Sequence, residues 1–236
     1  MESQQEKKRV LAIFAHSDDE LGCVGTMKNY VEEGHEVFLT FLTKGENATT
    51  VVGNSQEITE KRREHTRKIE SLLGVKVNYL DFIDSKVEYS VESGYQVAEH
   101  IKEIRPKIII TWNKIDSVGG GHPDHRNCSD IVRDAISYCR YKNPKSDHEP
   151  WRETIDFYMY YFPGSPNNPQ IRYIDVSDKL EVIKNFIQIY KEAYGDWPVE
   201  DFKITSLTML GRASGVKYAE AFEVVSSQKS ASKLFF

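Results

Sequence analysis

Cysteine is scarce in this chain: Cys23, Cys128 and Cys139 are the only three in 236 residues, and no two stand in C-x-x-C spacing. That excludes a disulfide framework and a thiolate zinc knuckle, and makes reduced thiols the expected state. Long apolar runs are missing as well. No stretch approaches the roughly 18 residues needed to cross a bilayer, and the opening MESQQEKKRV has no signal-peptide core. A cytoplasmic protein with no membrane partner is the expectation. There is no long basic run either, and the formal net charge is −5. Nucleic acids and anionic membranes need clustered Lys and Arg to displace counterions, so a small-molecule partner is the better fit. Repeats, low-complexity tracts and long linkers are also lacking. One globular domain over residues 1–236 is expected, with residues 1–8 flexible.

What is present alternates. Val10 to Phe14 is a short apolar run with the pattern of a buried strand. Thr26 to Glu33 suits a helix ending at Gly34, and Glu36 to Leu42 a second strand. The pattern recurs: Gln56 to Leu73 is a charged amphipathic helix stopped by Gly74, Val77 to Leu80 a strand, Gln96 to Ile104 a helix and Lys107 to Trp112 a strand. Lys142 to Pro150 reads as a surface loop and PGSPNNP, Pro163 to Pro169, as a turn cluster. Ser177 is placed to cap a helix running to about Tyr194, and Ala221 to Val225 forms a last strand. The expected fold class is therefore α/β, a Rossmann-like, mostly parallel sheet flanked by helices on both faces. Ligands in such sheets bind at the carboxyl ends of the strands, where His16 falls.

Two clusters carry chemistry. AHSDDE, Ala15 to Glu20, crowds three carboxylates and an imidazole into five positions. Such crowding is unfavourable unless a cation compensates it. An acidic helix start explains the acids but not His16. The second cluster, GGGHPDHRN from Gly119 to Asn127, follows the Lys107 to Trp112 strand. Pro123 fits a first helical turn, so His122 and His125 lie about one turn apart on one side. Both clusters sit at strand ends of one sheet, which brings them together in space. Histidine and aspartate ligands without cysteine suit zinc, with manganese, iron or cobalt as substitutes. A set of two histidines and one carboxylate leaves coordination positions open for water and substrate. Spacing does not decide between Asp18 and Asp19 as the ligand.

AHSDDE followed by GHPDHR resembles the LmbE/PIG-L de-N-acetylases, a family that includes the deacetylases of mycothiol and bacillithiol biosynthesis. The resemblance extends through TKGE at Thr43 to Glu46, REHTRKIESLLGV from Arg63, and GRASGVKYAEAF from Gly211 to Phe222. It implies a zinc-dependent hydrolase that removes the N-acetyl group from an N-acetylglucosamine-containing small molecule. It implies His16, Asp19 and His125 as metal ligands and Asp18 as the general base for the attacking water. His122 would stabilise or protonate the tetrahedral intermediate, with Asp124 orienting its ring. Arg63 aligns with a substrate-contacting arginine, and Asn113, beside Trp112 at a strand end, is a further candidate for substrate binding. Relatives often form homo-oligomers, so one is expected here.

Two departures stand out: Ser17 replaces the usual proline, and Val24 lies in a turn that is commonly richer in glycine. Neither removes a reacting group. His35, His65, His100 and His148 lack matching partners and read as surface or packing residues. Alternative substrates are an amide conjugate of a glucosamine-containing thiol and short chitin-derived sugars. Readings of another class are a sugar-binding protein without turnover and a nucleotide-binding module using Gly22 and Gly25. Against the last, Asp18, Asp19 and Glu20 would repel a pyrophosphate.

Overall fold

Successive residues of the first strand, β1 (Arg9–Phe14), face opposite ways, and from Val10 onward every one is buried. Val10, Ala12 and Phe14 join one core cluster, while Leu11 and Ile13 join the other. A strand dry on both faces must be covered by helices on both sides, as the uninterrupted run Val10 to Phe14 implies. The structure, a computed structural model, describes residues 7–48, 51–114, 121–163, 169–195 and 199–226.

Among the described residues the sheet has seven strands. Its order is β3 (Lys76–Phe82), β2 (Glu36–Thr43), β1, β4 (Ile108–Thr111), β5 (Asp156–Tyr160), β7 (Ala219–Ser226) and β6 (Ile171–Asp175). The first five run parallel, and β7 is antiparallel to both β5 and β6. Helices α3 (Val91–Ile104) and α4 (Pro123–Tyr138) supply Val97, Ile101, Ile131 and Val132 to the cluster that holds Leu11 and Ile13. On the other face, α1 (Val24–Glu32), α2 (Ser55–Leu73), α5 (Leu180–Tyr194) and α6 (Val199–Ser214) supply Met27, Leu73, Phe186 and Leu207. The α/β class and the mostly parallel sheet with helices on both faces are as expected from the sequence.

Local chemistry sets the helix ends. The Asn54 side chain accepts from the Gln56 and Glu57 amides while Glu57 reaches back to the Asn54 amide, and α2 stops at Gly74 with φ 78°. This pairs a capping box with a left-handed stop. Ser177 does not cap α5 as expected. Its hydroxyl donates to Asp175 Oδ1 at 2.6 Å, and α5 begins at Leu180 behind Lys179, whose side chain makes no capping bond. The aspartate two residues earlier captures Ser177 in a tight turn before the helix can use it. Strands β5 and β6 and helix α6 were not foreseen. Gly119, Gly120 and most of the Pro163 to Pro169 turn cluster lie outside the described residues. Among the described residues no helix is long and apolar enough to cross a membrane.

From β1 the chain winds outward through β2 to β3, then returns to place β4 on the opposite side of β1. The strand order reverses there. A crevice opens at the carboxyl ends of the two strands, flanked by the loop after β1 and the start of α4.

Candidate active site

The chain turns sharply as it leaves β1. Asp18 has φ 111° and ψ −24°, a conformation costly for a residue with a Cβ, and a single 3-10 segment, Asp19–Cys23, leads into α1. The turn is held from within: the Asp18 amide donates to Glu20 Oε2 at 2.7 Å and the His16 amide to Asp19 Oδ2 at 2.9 Å. Across the crevice, His122 is the N-cap of α4, its Nδ1 accepting the Asp124 amide at 3.1 Å, with Pro123 at the first helical position. That bond leaves the His122 ring proton on Nε2.

Three ligand-type groups converge between these two segments. His16 Nδ1 lies 3.3 Å from His125 Nε2 and 3.8 Å from Asp19 Oδ2, while His125 Nε2 lies 3.1 Å from Asp19 Oδ1. Atoms bound about 2.0–2.1 Å from one tetrahedral ion stand about 3.3 Å apart, so the spacing suits a single small cation. His125 Nδ1 is buried with no hydrogen-bond partner among the described residues, and the ring stacks on Trp112 with centroids 4.2 Å apart. The far nitrogen of His16, Nε2, faces two carboxylates, Asp124 Oδ2 at 3.1 Å and Asp84 Oδ1 at 3.2 Å. A carboxylate behind a histidine fixes its tautomer and leaves the inner nitrogen free for a metal. The donors therefore fit a divalent ion. His122 is close by, its ring centroid 4.8 Å from that of His16, and could complete a three-histidine group.

Charge is distributed unevenly. Burial would depress His16, but bonds to Asp124 and Asp84 and the Asp19 charge lift its pKa to about 10. Burial likewise opposes ionisation of Asp19, yet His125 and His16 hold it well below the usual carboxylate range. Asp18 goes the other way. Although 27 % of its side chain meets solvent, lost hydration, offset in part by Arg62, lifts it to about 7. Burial pushes Glu20 up to about 8. His122 is lowered, by burial first and then by the neighbouring His16 and His125, which keeps its ring neutral at neutral pH.

Some expected residues sit elsewhere. Asp124 does not orient His122 through its carboxylate, which accepts from His16 Nε2 and, at 2.8 Å, from the Ser85 amide. Only its backbone N–H touches the His122 ring. The arginine that contacts Asp18 is Arg62. It is buried, donates to the Ser17 carbonyl at 2.9 Å and lies 3.5 Å from Asp18 Oδ2, whereas Arg63 is half-buried further along α2. Asn113 is buried, its amide donating to the Tyr160 carbonyl and to Glu223 Oε2, so it ties β4 to β5 and β7.

Several residues of the site had not been foreseen. Besides Arg62 and Asp84 there are Tyr194, whose hydroxyl donates to Asp18 Oδ2 at 2.9 Å, and Tyr190, which donates to Glu20 Oε1 at 2.7 Å. Glu220, fully buried on β7, accepts from the Gly25 and Thr26 amides and the Thr26 hydroxyl, and Lys203 bridges it to the Leu21 carbonyl. The start of α1, where a nucleotide phosphate would bind, is thus filled by the protein's own carboxylate. Arg62 had a legible signal: Ile58, Arg62, Thr66, Ile69 and Leu73 form the buried stripe of α2.

The model of the PIG-L family, GlcNAc-PI de-N-acetylase, matches residues 11–136, and the chain belongs to that family. The matched segment carries both clusters described above. Over 232 residues the chain is 29 % identical to a diacetylchitobiose deacetylase from Thermococcus kodakarensis, covering 92 % of this chain and 83 % of that protein. It is 26 % identical to a 1D-myo-inositol 2-acetamido-2-deoxy-alpha-D-glucopyranoside deacetylase from Thermobifida fusca, over 61 % of this chain and 59 % of that protein. The fold matches the solved N,N'-diacetylchitobiose deacetylase of Pyrococcus horikoshii with a TM-score of 0.82 at 24 % identity, over 93 % and 84 % of the two chains.

Proposed function

We propose that this protein is a metal-dependent amide hydrolase that removes the N-acetyl group from an N-acetylglucosamine-containing small molecule. The observation that carries the reading is the convergence of His16, His125 and Asp19 within 3.8 Å of one another, with Asp18 beside them. Those three side chains would hold zinc, or another divalent transition metal. Such an ion supplies Lewis acidity toward both the amide carbonyl and the attacking water.

The remaining steps fall to the chain's own groups. Asp18, with a pKa of about 7, takes a proton from the attacking water near neutral pH. Tyr194 and Arg62 orient the Asp18 carboxylate through its Oδ2 side. His122 offers its neutral Nε2–H to the developing oxyanion. The proton gained by Asp18 then passes to the departing nitrogen, which leaves as an amine while the acyl group leaves as acetate. Asp124 and Asp84 act on His16 from behind, keeping its inner nitrogen toward the ion.

A short chitin-derived sugar is the substrate suggested by the diacetylchitobiose deacetylase relative, which aligns along most of both chains. The proposal includes a cytoplasmic setting, a soluble small-molecule substrate and a homo-oligomer. Acetate release from a panel of N-acetylated amino sugars, by metal-reconstituted protein and by Asp18→Ala, tests the reading. Acetate is expected with the wild type and lost with the variant. No acetate from any member at full metal occupancy, or an unchanged rate in Asp18→Ala, would overturn it.

A further inference from the structure

The two histidines that would bind the ion are supported differently from behind. His16 has carboxylates at its outer nitrogen, Asp124 at 3.1 Å and Asp84 at 3.2 Å. His125 has none: its Nδ1 is buried and meets no hydrogen-bond partner among the described residues. A metal-binding histidine is ordinarily fixed by an acceptor on its second nitrogen, which sets both the tautomer and the plane of the ring. Something else must hold the plane of His125, which still shows 17 % of its side chain to solvent.

The face of the Trp112 indole does so. The two rings are nearly parallel, 10° apart in plane with centroids at 4.2 Å. Trp112 follows β4 directly and is held against rotation by aromatic rings from the neighbouring strand ends. Phe14, the last residue of β1, and Tyr160, the last of β5, meet it edge-on at 82° and 81°. Edge-to-face contact is a favoured arrangement of aromatic rings. Phe162 lies parallel to the indole, at 11° with centroids 6.1 Å apart. Phe14 and Tyr160 stack on each other in turn, and both are buried. The indole N–H is likewise buried and is turned toward Asp19, outside the geometry of a regular hydrogen bond.

We infer that Trp112 is a positioning residue for the metal. Its indole face, clamped by Phe14, Tyr160 and Phe162, holds His125 in the plane at which Nε2 points to the ion, the role an outer hydrogen-bond acceptor usually plays. This rests on the metal-dependent reading above. Stacking fixes the ring without adding negative charge. His16 is made a strong donor by its two carboxylates, whereas His125 passes less charge to the ion and so keeps it the sharper Lewis acid.

Two variants test the role. Trp112→Phe keeps a ring against His125, and Trp112→Leu fills the space without one. Zinc affinity is measured by competition with a chromophoric chelator in the absence of sugar, and ligand geometry by the visible absorption of cobalt-loaded protein. Trp112→Leu should bind zinc about 10 to 100-fold more weakly, the loss that follows removal of an outer-shell partner. Its cobalt bands should shift and weaken as His125 leaves the tetrahedral set. Trp112→Phe should stay within about threefold of the wild type, with wild-type bands. A third measurement needs no Trp112 variant. In zinc-loaded wild type carrying isotope-labelled histidine, the His125 ring proton, assigned by its absence from His125→Asn, should be moved upfield by the indole face.

Equal zinc affinity and equal cobalt spectra in the wild type and both Trp112 variants overturn the proposal, as does an unshifted His125 signal. Equal losses in Trp112→Phe and Trp112→Leu overturn it too, and assign the effect to the indole N–H beside Asp19. The expected order of zinc affinities with no acetate released from any N-acetylated amino sugar leaves Trp112 its role and overturns the deacetylase reading instead.

Discussion

The two halves of the chain contribute to the site in different ways. Residues 11–136, the part matched by the family model, supply every side chain that would touch the metal or the reacting atoms. The described residues beyond 150 supply none of these, yet they hold the others in place. Tyr194 and Tyr190 on α5 bond Asp18 and Glu20, Glu220 on β7 caps α1, and Lys203 on α6 grips the Leu21 carbonyl. Tyr160, on β5, donates to the Asp19 carbonyl at 3.0 Å. The difference teaches that the strained turn after β1 is made by one half and stabilised by the other. Damage to the second half should therefore first appear as misplacement or instability, and damage to the first as lost chemistry.

The largest effect is expected in the first half. Asp18→Asn keeps the shape and removes the base, so kcat should fall by about 10² to 10⁴-fold. Metal content by atomic absorption should stay that of the wild type. A comparable loss of metal would show that Asp18 is a ligand and blur the division of roles. Next comes the second half. Glu220→Ala leaves Lys203 buried and unpaired and should cost about 3–5 kcal/mol in urea unfolding. The paired change Glu220→Gln with Lys203→Met should recover much of that cost. If the single variant unfolds like the wild type, the holding role assigned to β7 and α6 is wrong.

Tyr194→Phe joins the two halves in one measurement. The Tyr194 hydroxyl stabilises ionised Asp18, so its removal raises the Asp18 pKa from about 7. The acid limb of kcat/KM should then move to higher pH, with roughly fivefold lower activity below neutrality for one lost hydrogen bond. An unmoved limb with lower activity at all pH values would make Tyr194 a packing residue only.

The smallest effect lies away from the site. His100 is buried, bonds Thr40 at 2.9 Å and has its pKa lowered, first by burial. The unfolded chain takes up the proton more readily, so stability is complete above the unfolded value of about 6.5 and declines as pH falls below it. His100→Gln should flatten the dependence of Tm on pH between about 7 and 5 while leaving activity alone. A steep slope that persists in the variant would assign acid sensitivity to other groups.

Legibility in the sequence follows the same division. AHSDDE and HPDH are dense local clusters, so their residues could be found without knowing the fold, and β1 was plain from its apolar run. Arg62 and Arg63 are neighbours about 100° apart on a helix. The buried stripe of α2 tells them apart, since it holds Arg62, which meets Asp18, and not Arg63. Asp84 sits in FIDS, a loop with no periodicity, and meets His16 only because β3 and β1 end at the same edge of the sheet. The bond between the Asp124 carboxylate and His16 joins positions far apart in the sequence, so the motif, in which His122 is the neighbour, does not show it. Helix α6 was missed because Thr205, Ser206 and Thr208 break up its apolar pattern, the first two on the side that opens to the cleft beside Asp18 and His125.

The backbone at Asp18 has one more consequence. Its φ of 111° belongs to territory where glycine is at ease and aspartate is not. Replacing Asp18 by glycine would thus delete the base and relax the main chain in one step. The resulting protein should be inert yet melt at a higher temperature than its parent. Asp18 then carries its reacting carboxylate at a cost in backbone strain.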